Sequence, residues 1–165
     1  MNPAFLLRVL VAALLLSALS GCGPPKPALI RIGVAANHDV NPDAKGRARP
    51  VVVRVYELKS ISVFNSADFF SLQDKETETL AADVVSREEL QLRPGDTRVL
   101  EKPAKPDAKY VAAIAAFRDL ERARWRSAAP LPAKPKGSVP VSITLTGKTV
   151  SVAVATEAET KSAKP

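Results

Sequence analysis

Between Val141 and Val154 the chain alternates more regularly than anywhere else. Val141, Ile143 and Leu145 are separated by Ser142, Thr144 and Thr146, and after Gly147-Lys148 the pattern resumes as Val150, Val152 and Val154. A period of two puts one set of side chains on one face of an extended strand. A two-residue Gly-X loop between two such runs is the type II′ hairpin connection. A chain with this pattern has to build a sheet, and the remaining sequence supplies more strands for it. Leu29 to Ala36 places Ile30, Ile32 and Val34 on one face, and Val51 to Leu58 is dense in β-branched residues with Val51, Val53 and Val55 facing one way. Tyr110 to Phe117 is an unbroken apolar run. Its alanines favour a helix, but its length, lack of a polar face and turn-rich flanks predict a fully buried strand, with Arg124 to Leu131 returning as another.

A short helical insertion is expected from Ser66 to Gln73, with Asn65 capping, Asp68 at the third helical position and Phe64 stapled against Phe69. Its Phe69 and Leu72 would pack on the sheet. Asp74 to Glu89 reads as a turn leading into a strand around Leu90 and Leu92. Pro94-Gly95 suits the centre of a type II turn and predicts a hairpin from that strand to Thr97 to Glu101. Several short strands, one helical excursion and Pro-rich connections describe a mainly β, two-layer β-sandwich. With 46% apolar residues in 165, the chain holds enough core material for one domain.

The first segment is an address. One basic residue, Arg8, precedes the apolar run Val9 to Leu16 and small residues up to Gly21, the order of a secretory signal peptide and too short a run to span a bilayer. Leu19-Ser20-Gly21-Cys22 resembles the bacterial lipobox, which makes Cys22 the expected lipidation site and residues 1–21 the leader. Several acyl chains on one Cys would anchor a protein firmly. Gly23 stands where lipoproteins retained at the inner membrane resemble one another in having Asp, so the outer membrane is expected. Residues 22–28, with Pro24, Pro25 and Pro27, form a Pro-rich tether. The sandwich domain is expected over 29–154, and 155–165 as a disordered polar tail. The formal charge of +7 often marks nucleic-acid binding, but a periplasmic address makes that partner unexpected.

Asn37 to Arg49 holds Asn, Asp, Pro, Gly and basic residues without periodicity and is long for a connection between strands. Asn41-Pro42-Asp43 pre-sets a turn, while Lys45, Arg47 and Arg49 offer charge-assisted contacts to an acidic surface.

Four blocks then carry a resemblance. NPDAKGRARPVVVRVYEL (Asn41 to Leu58), FNSADFFSL (Phe64 to Leu72), SREELQLRPGDTR (Ser86 to Arg98) and AAFRDLERARWR (Ala115 to Arg126) follow the lipobox in that order. The chain resembles the TssJ family (SciN/VasD) of outer-membrane lipoproteins of the type VI secretion system. The resemblance implies a transthyretin-like sandwich with a small helical insertion. It also implies a partner, the periplasmic C-terminal region of the inner-membrane protein TssM, contacted through the loop between the first two strands. Here that loop comprises Asn37, His38, Asp39, Asn41, Pro42, Asp43, Lys45, Arg47 and Arg49. The Lys-Pro-rich stretches Lys102 to Lys109 and Lys134 to Gly137 depart from the family pattern.

Catalytic and metal chemistry find little support in the residues. One His and one Cys exclude an all-protein Cys/His zinc site and an intramolecular disulfide. His38 lies beside Asp39, but no GxSxG-type nucleophile turn accompanies them. Asp39 to Asp43 mimics the start of an EF-hand loop, yet Ala44 stands where Gly is needed and Pro50 where Glu is needed. Glu88 and Glu89 would diverge on a strand. Trp125 and Tyr110 could stack on a sugar, which leaves a periplasmic lipoprotein binding a small ligand or glycan as the alternative to the tether. No enzyme activity is expected, no cofactor beyond lipid on Cys22, and no small-molecule substrate.

Overall fold

The structure is a computed structural model and describes residues 27–155. Cys22, the leader, most of the tether and the tail from residue 156 lie outside the described residues. Among the described residues, eight strands form two four-stranded sheets. In the first sheet, β1 (Leu29–Ala36) is central and pairs antiparallel with β4 (Thr97–Pro103) and parallel with β7 (Ser138–Thr146), which pairs antiparallel with β8 (Thr149–Val154). In the second, β2 (Val51–Leu58) lies between β3 (Val84–Leu92) and β5 (Tyr110–Ala115), and β6 (Arg126–Pro130) closes the far side, all antiparallel. The chain is therefore mainly β and a two-layer sandwich.

The alternation read in the sequence sorts residues as expected. Ile30, Ile32 and Val34 of β1, Val51, Val53 and Val55 of β2, and Val141, Ile143 and Leu145 of β7 are buried between the sheets. Each such side chain contributes about 1.5–3 kcal/mol by leaving water. Strand β5 shows why its apolar run needs no polar face. Val111, Ala113 and Ala115 enter the core between the sheets, while Ala112 and Ile114 enter a second core on the outer face.

That second core is covered by three short helices, α1 (Ser62–Ser66), α2 (Phe69–Asp74) and α3 (Glu76–Leu80), and a 3₁₀ turn at Ala81–Asp83. Phe64, Phe69, Leu72 and Leu80 descend from them onto Tyr56, Leu58, Ala112 and Ile114. Trp125 packs against both cores, edge-on to Phe69 at 5.3 Å, with the Arg126 guanidinium 4.8 Å from its ring centre. It therefore serves as packing. Arg126 also donates to the carbonyls of Phe64 (3.1 Å) and Ala67 (2.6 Å), fastening the helical layer to β6.

Three local expectations are corrected. The insertion is not one helix capped by Asn65, because the chain breaks at Ala67-Asp68 and the Asp68 carboxylate accepts from the Ser71 amide at 3.0 Å to cap α2. The stretch read as a turn from Asp74 to Glu89 holds α3 and the first half of β3, which starts at Val84. Finally, β3 and β4 are not a hairpin. Gly95 does adopt the positive φ of a type II turn (87°), but its amide donates to Ala36 O (2.8 Å) and Ala36 N to Asp96 O (2.9 Å). The turn thus hands the chain from the second sheet to the first, where β1 supplies a longer run of partners.

One inward residue of β2 is charged. Glu57 is fully buried and its Oε1 receives Lys102 Nζ of β4 at 2.6 Å and Ser86 Oγ of β3 at 2.7 Å. The ion pair bridges the two sheets, and Oε2 has no hydrogen-bond partner among the described residues.

Candidate functional site

The connection from β1 to β2 is built as a pinned projection. Asn37 donates from its backbone to Leu145 O (2.8 Å) and from its side chain to Thr146 Oγ1 (2.9 Å). Val40 is fully buried and plugs the end of the core. Asn41 follows in the left-handed region, φ 51°, which Asn tolerates better than most residues. It is 3% exposed. Its Nδ2 donates to Pro50 O at 2.6 Å, its Oδ1 accepts from Arg118 N at 2.9 Å, and its backbone N donates to Gly147 O at 2.7 Å. The side chain thereby ties the loop to its own exit and to the β5–β6 connection, and the backbone amide ties it to the β7–β8 hairpin.

Beyond that pin the loop turns around Asp43. The Lys45 and Arg47 amides donate to its Oδ1 at 2.9 and 3.0 Å, and Arg47 Nε (3.0 Å) and Arg49 Nη2 (2.8 Å) donate to Oδ2. Gly46 closes the turn at φ 75°, its amide on Asp43 O. The Arg47 amide and the Arg49 guanidinium hold the Asp43 carboxyl far below the usual carboxylate range. Arg47 and Arg49 therefore present only their remaining N–H groups outward. Lys45 is exposed and makes no ion pair among the described residues.

Five of the nine loop residues line two separate hollows. Asn37, His38 and Asp39 are exposed and line a shallow depression of about 450 Å³ with Gly95 and Thr97. The His38 ring lies over Gly95 so closely that a Cβ there would come within 2.7 Å of Cε1. Pro42 and Asp43 line an open hollow of about 600 Å³ whose other wall is Arg118, Asp119, Arg122 and Lys148. Lys148 pairs with Asp119 and lowers its pKa. This wall was not among the expected site residues. The block from Ala115 to Arg126 hinted at it through its density of basic residues, but nothing local says that it folds against Pro42 and Asp43. Asn41, in turn, points inward and positions the loop rather than offering a surface. No group of three or more His, Cys, Asp or Glu is disposed to hold a metal among the described residues, and no helix there is long and apolar enough to cross a membrane.

A two-sheet sandwich with a hydrogen-bonded loop held at one end is a display scaffold, whose rigid part positions a variable contact surface. The family model of type VI secretion lipoproteins (SciN, VasD, EvfM, TssJ) matches residues 29–153. The T6SS lipoprotein TssJ1 from Pseudomonas aeruginosa has 34% identity and a TM-score of 0.73, over 79% of this chain and 98% of that one. Lip from Serratia marcescens, a membrane bound component of the type VI secretion system, has 26% identity and a TM-score of 0.70, over 80% and 100%. A chain in the structure described as the T6SS protein TssM C-terminal domain from EAEC matches with 28% identity and a TM-score of 0.60, over 75% and 99%. Comparison with curated protein sequences gives no significant match. The chain belongs to the type VI secretion lipoprotein family.

Proposed function

We propose that this lipoprotein tethers the type VI secretion membrane complex to the outer membrane. Lipid on Cys22 holds one end, and the loop Asn37–Arg49 binds the periplasmic C-terminal region of TssM. The observation that carries this reading is the placement of the loop. Strand β1 starts two residues after Pro27 and its eight residues end where the loop begins, so the loop stands about 26 Å farther from the anchor along the strand. It would then face a partner rising from the inner membrane. The fold's occurrence in a structure described as the TssM C-terminal domain supports the choice of partner. Membrane attachment confines both proteins and raises their effective concentration, so a modest interface suffices.

Calorimetric titration of the chain from Gly23 onward with the TssM periplasmic region tests the reading. Lys45→Glu, which leaves the Asn41 hydrogen bonds and the Asp43 pairs with Arg47 and Arg49 in place, is expected to weaken binding by about tenfold with an unchanged melting temperature. Unchanged affinity would remove the loop from the interface, and no binding by the intact chain would refute the partner. In cells, a Cys22→Ser variant that stayed membrane-bound would refute the anchor.

A further inference from the structure

The two Lys-Pro-rich stretches that depart from the family pattern come together in space. Ala104 N donates to Ala28 O (2.7 Å), Leu29 N to Gly137 O (2.8 Å) and Leu131 N to Lys109 O (2.8 Å). The segments around Lys105 and Lys134 are thus stitched to the first described residues and to each other. Between them lies a recess of about 280 Å³ whose lining includes Pro27, Ala28, Pro106, Leu131, Pro132 and Pro135. Around this apolar centre Lys105, Lys109, Lys134 and Lys136 are exposed, and none makes an ion pair among the described residues. Lys102 is not part of this set, because Glu57 holds it. Asp107 is the one carboxylate within these two stretches, and Lys59 lies 3.9 Å from it.

The position of this end is fixed by the chain itself. Pro27 is five residues from Cys22, a reach of at most about 18 Å. If Cys22 carries lipid, Pro27 sits within that distance of the bilayer surface, and the recess it lines with Lys105, Pro106, Pro132 and Pro135 lies beside it. An apolar centre ringed by lysines suits the boundary between acyl chains and headgroups, where stems lie along apolar matter and ammonium groups meet phosphates. We propose that this end of the sandwich rests on the membrane, with Lys105, Lys134 and Lys136 against the phosphates of anionic phospholipids. The proposal rests on the lipid-anchor reading and adds to it a second attachment, which fixes the orientation of the domain. Two Lys-rich loops on a rigid sandwich hold the axis of the domain more steeply than a flexible tether can.

The test is partition of the chain from Gly23 onward, which retains both sheets and both cores, onto phosphatidylglycerol-containing vesicles at low salt. Each lysine near an anionic surface contributes on the order of fivefold. K105E/K134E is therefore expected to lower partition by at least about 25-fold, whereas K75E/R93E, an equal charge change away from this end, should lower it far less. Binding should vanish with neutral phosphatidylcholine vesicles and at about 0.5 M salt, where the Debye length falls to a few ångströms. Equal losses in the two double variants, or no retention by anionic vesicles, would overturn the proposal. Whether Cys22 carries lipid is read separately from the mass of the protein made with its leader. An unlipidated product would therefore sink the anchor without deciding the vesicle result. In the lipidated full-length protein, amide exchange across residues 104–108 and 132–137 should slow in anionic bilayers only. Unchanged exchange there would likewise overturn the docking.

Discussion

Replacing Asn41 by Ala removes a buried side chain that joins the loop to its own exit and to the β5–β6 connection. Two side-chain hydrogen bonds disappear, to Pro50 O and from Arg118 N. Each is worth about 1 kcal/mol net when its partner is left behind in a partly buried place. The backbone remains at φ 51°, where Ala is disfavoured by about 1 kcal/mol or more. The expected loss is about 3 kcal/mol, or about 10 °C in melting temperature for a domain of this size. Asn41→Gly separates the two contributions. It loses the same hydrogen bonds but relieves the left-handed backbone, so it should fall about 2 kcal/mol below the native chain. Urea denaturation followed by circular dichroism gives both values, and amide exchange at Arg118 reports the lost acceptor directly. An Ala variant within about 1 kcal/mol of the native protein would refute the pin. So would an Ala variant more stable than the Gly variant.

Lys102→Met should cost about 3 kcal/mol or more, because it strands the buried Glu57 carboxylate, and Glu57→Gln in the same chain should recover much of it; denaturant titration of both variants decides this. Asp43 has a depressed folded pKa, so its contribution to the loop is complete above the unfolded value of about 4 and is lost only as pH falls through the lower folded value. Carboxyl carbon shifts should show Asp43 still ionised at about pH 3, and a titration near 4 would contradict the geometry. Burial, and then the Glu76 carboxylate 3.0 Å from its hydroxyl, raises the Tyr56 phenol above its ordinary value. The folded chain keeps that proton where the unfolded chain loses it, so stability should fall as pH rises past about 10. Tyr56→Phe should remove this component of alkaline unfolding, as read by near-ultraviolet absorbance against pH.

The sequence was legible where a strand's burial is decided by its own residues. Val141 to Val154 carries its register, its turn and its buried face in local alternation. The apolar run at Tyr110 declared two buried faces through the lack of a polar one. Local signals failed where two partners compete. Leu90 to Glu101 has the residues of a hairpin, but β1 and β2 offer each arm a longer ladder, and the pairing energy of whole strands exceeds the preference of one turn. The helix cap failed more narrowly, since Asn65 and Asp68 both have capping chemistry and only Asp68 precedes a segment that Phe69 and Leu72 can bury. In the candidate site, length and lack of periodicity pointed to the loop. They could not reveal that Asp43 engages Arg47 and Arg49, that Asn41 points inward, or that Arg118 and Lys148 form the opposite wall. The Asp43 pairs are local but depend on how the turn closes, whereas the inward Asn41 and the opposite wall depend on residues distant in sequence, 77 positions for the Asn41–Arg118 bond.

The parallel ladder between β1 and β7 joins Leu29 to Ser138 and Ala36 to Leu145. The first strand of the domain therefore finds one of its two neighbours only after nearly the whole polypeptide has been delivered. A topology of such high contact order folds slowly, and a chain delivered amino end first leaves the β7 edge of β1 without its ladder until β7 emerges. Throughout that interval one edge of β1 is an open template for mispairing, which calls for a holding chaperone. Late closure of the sheet thus places the completion of β1 among the last steps of folding, after every other strand but β8 has been delivered.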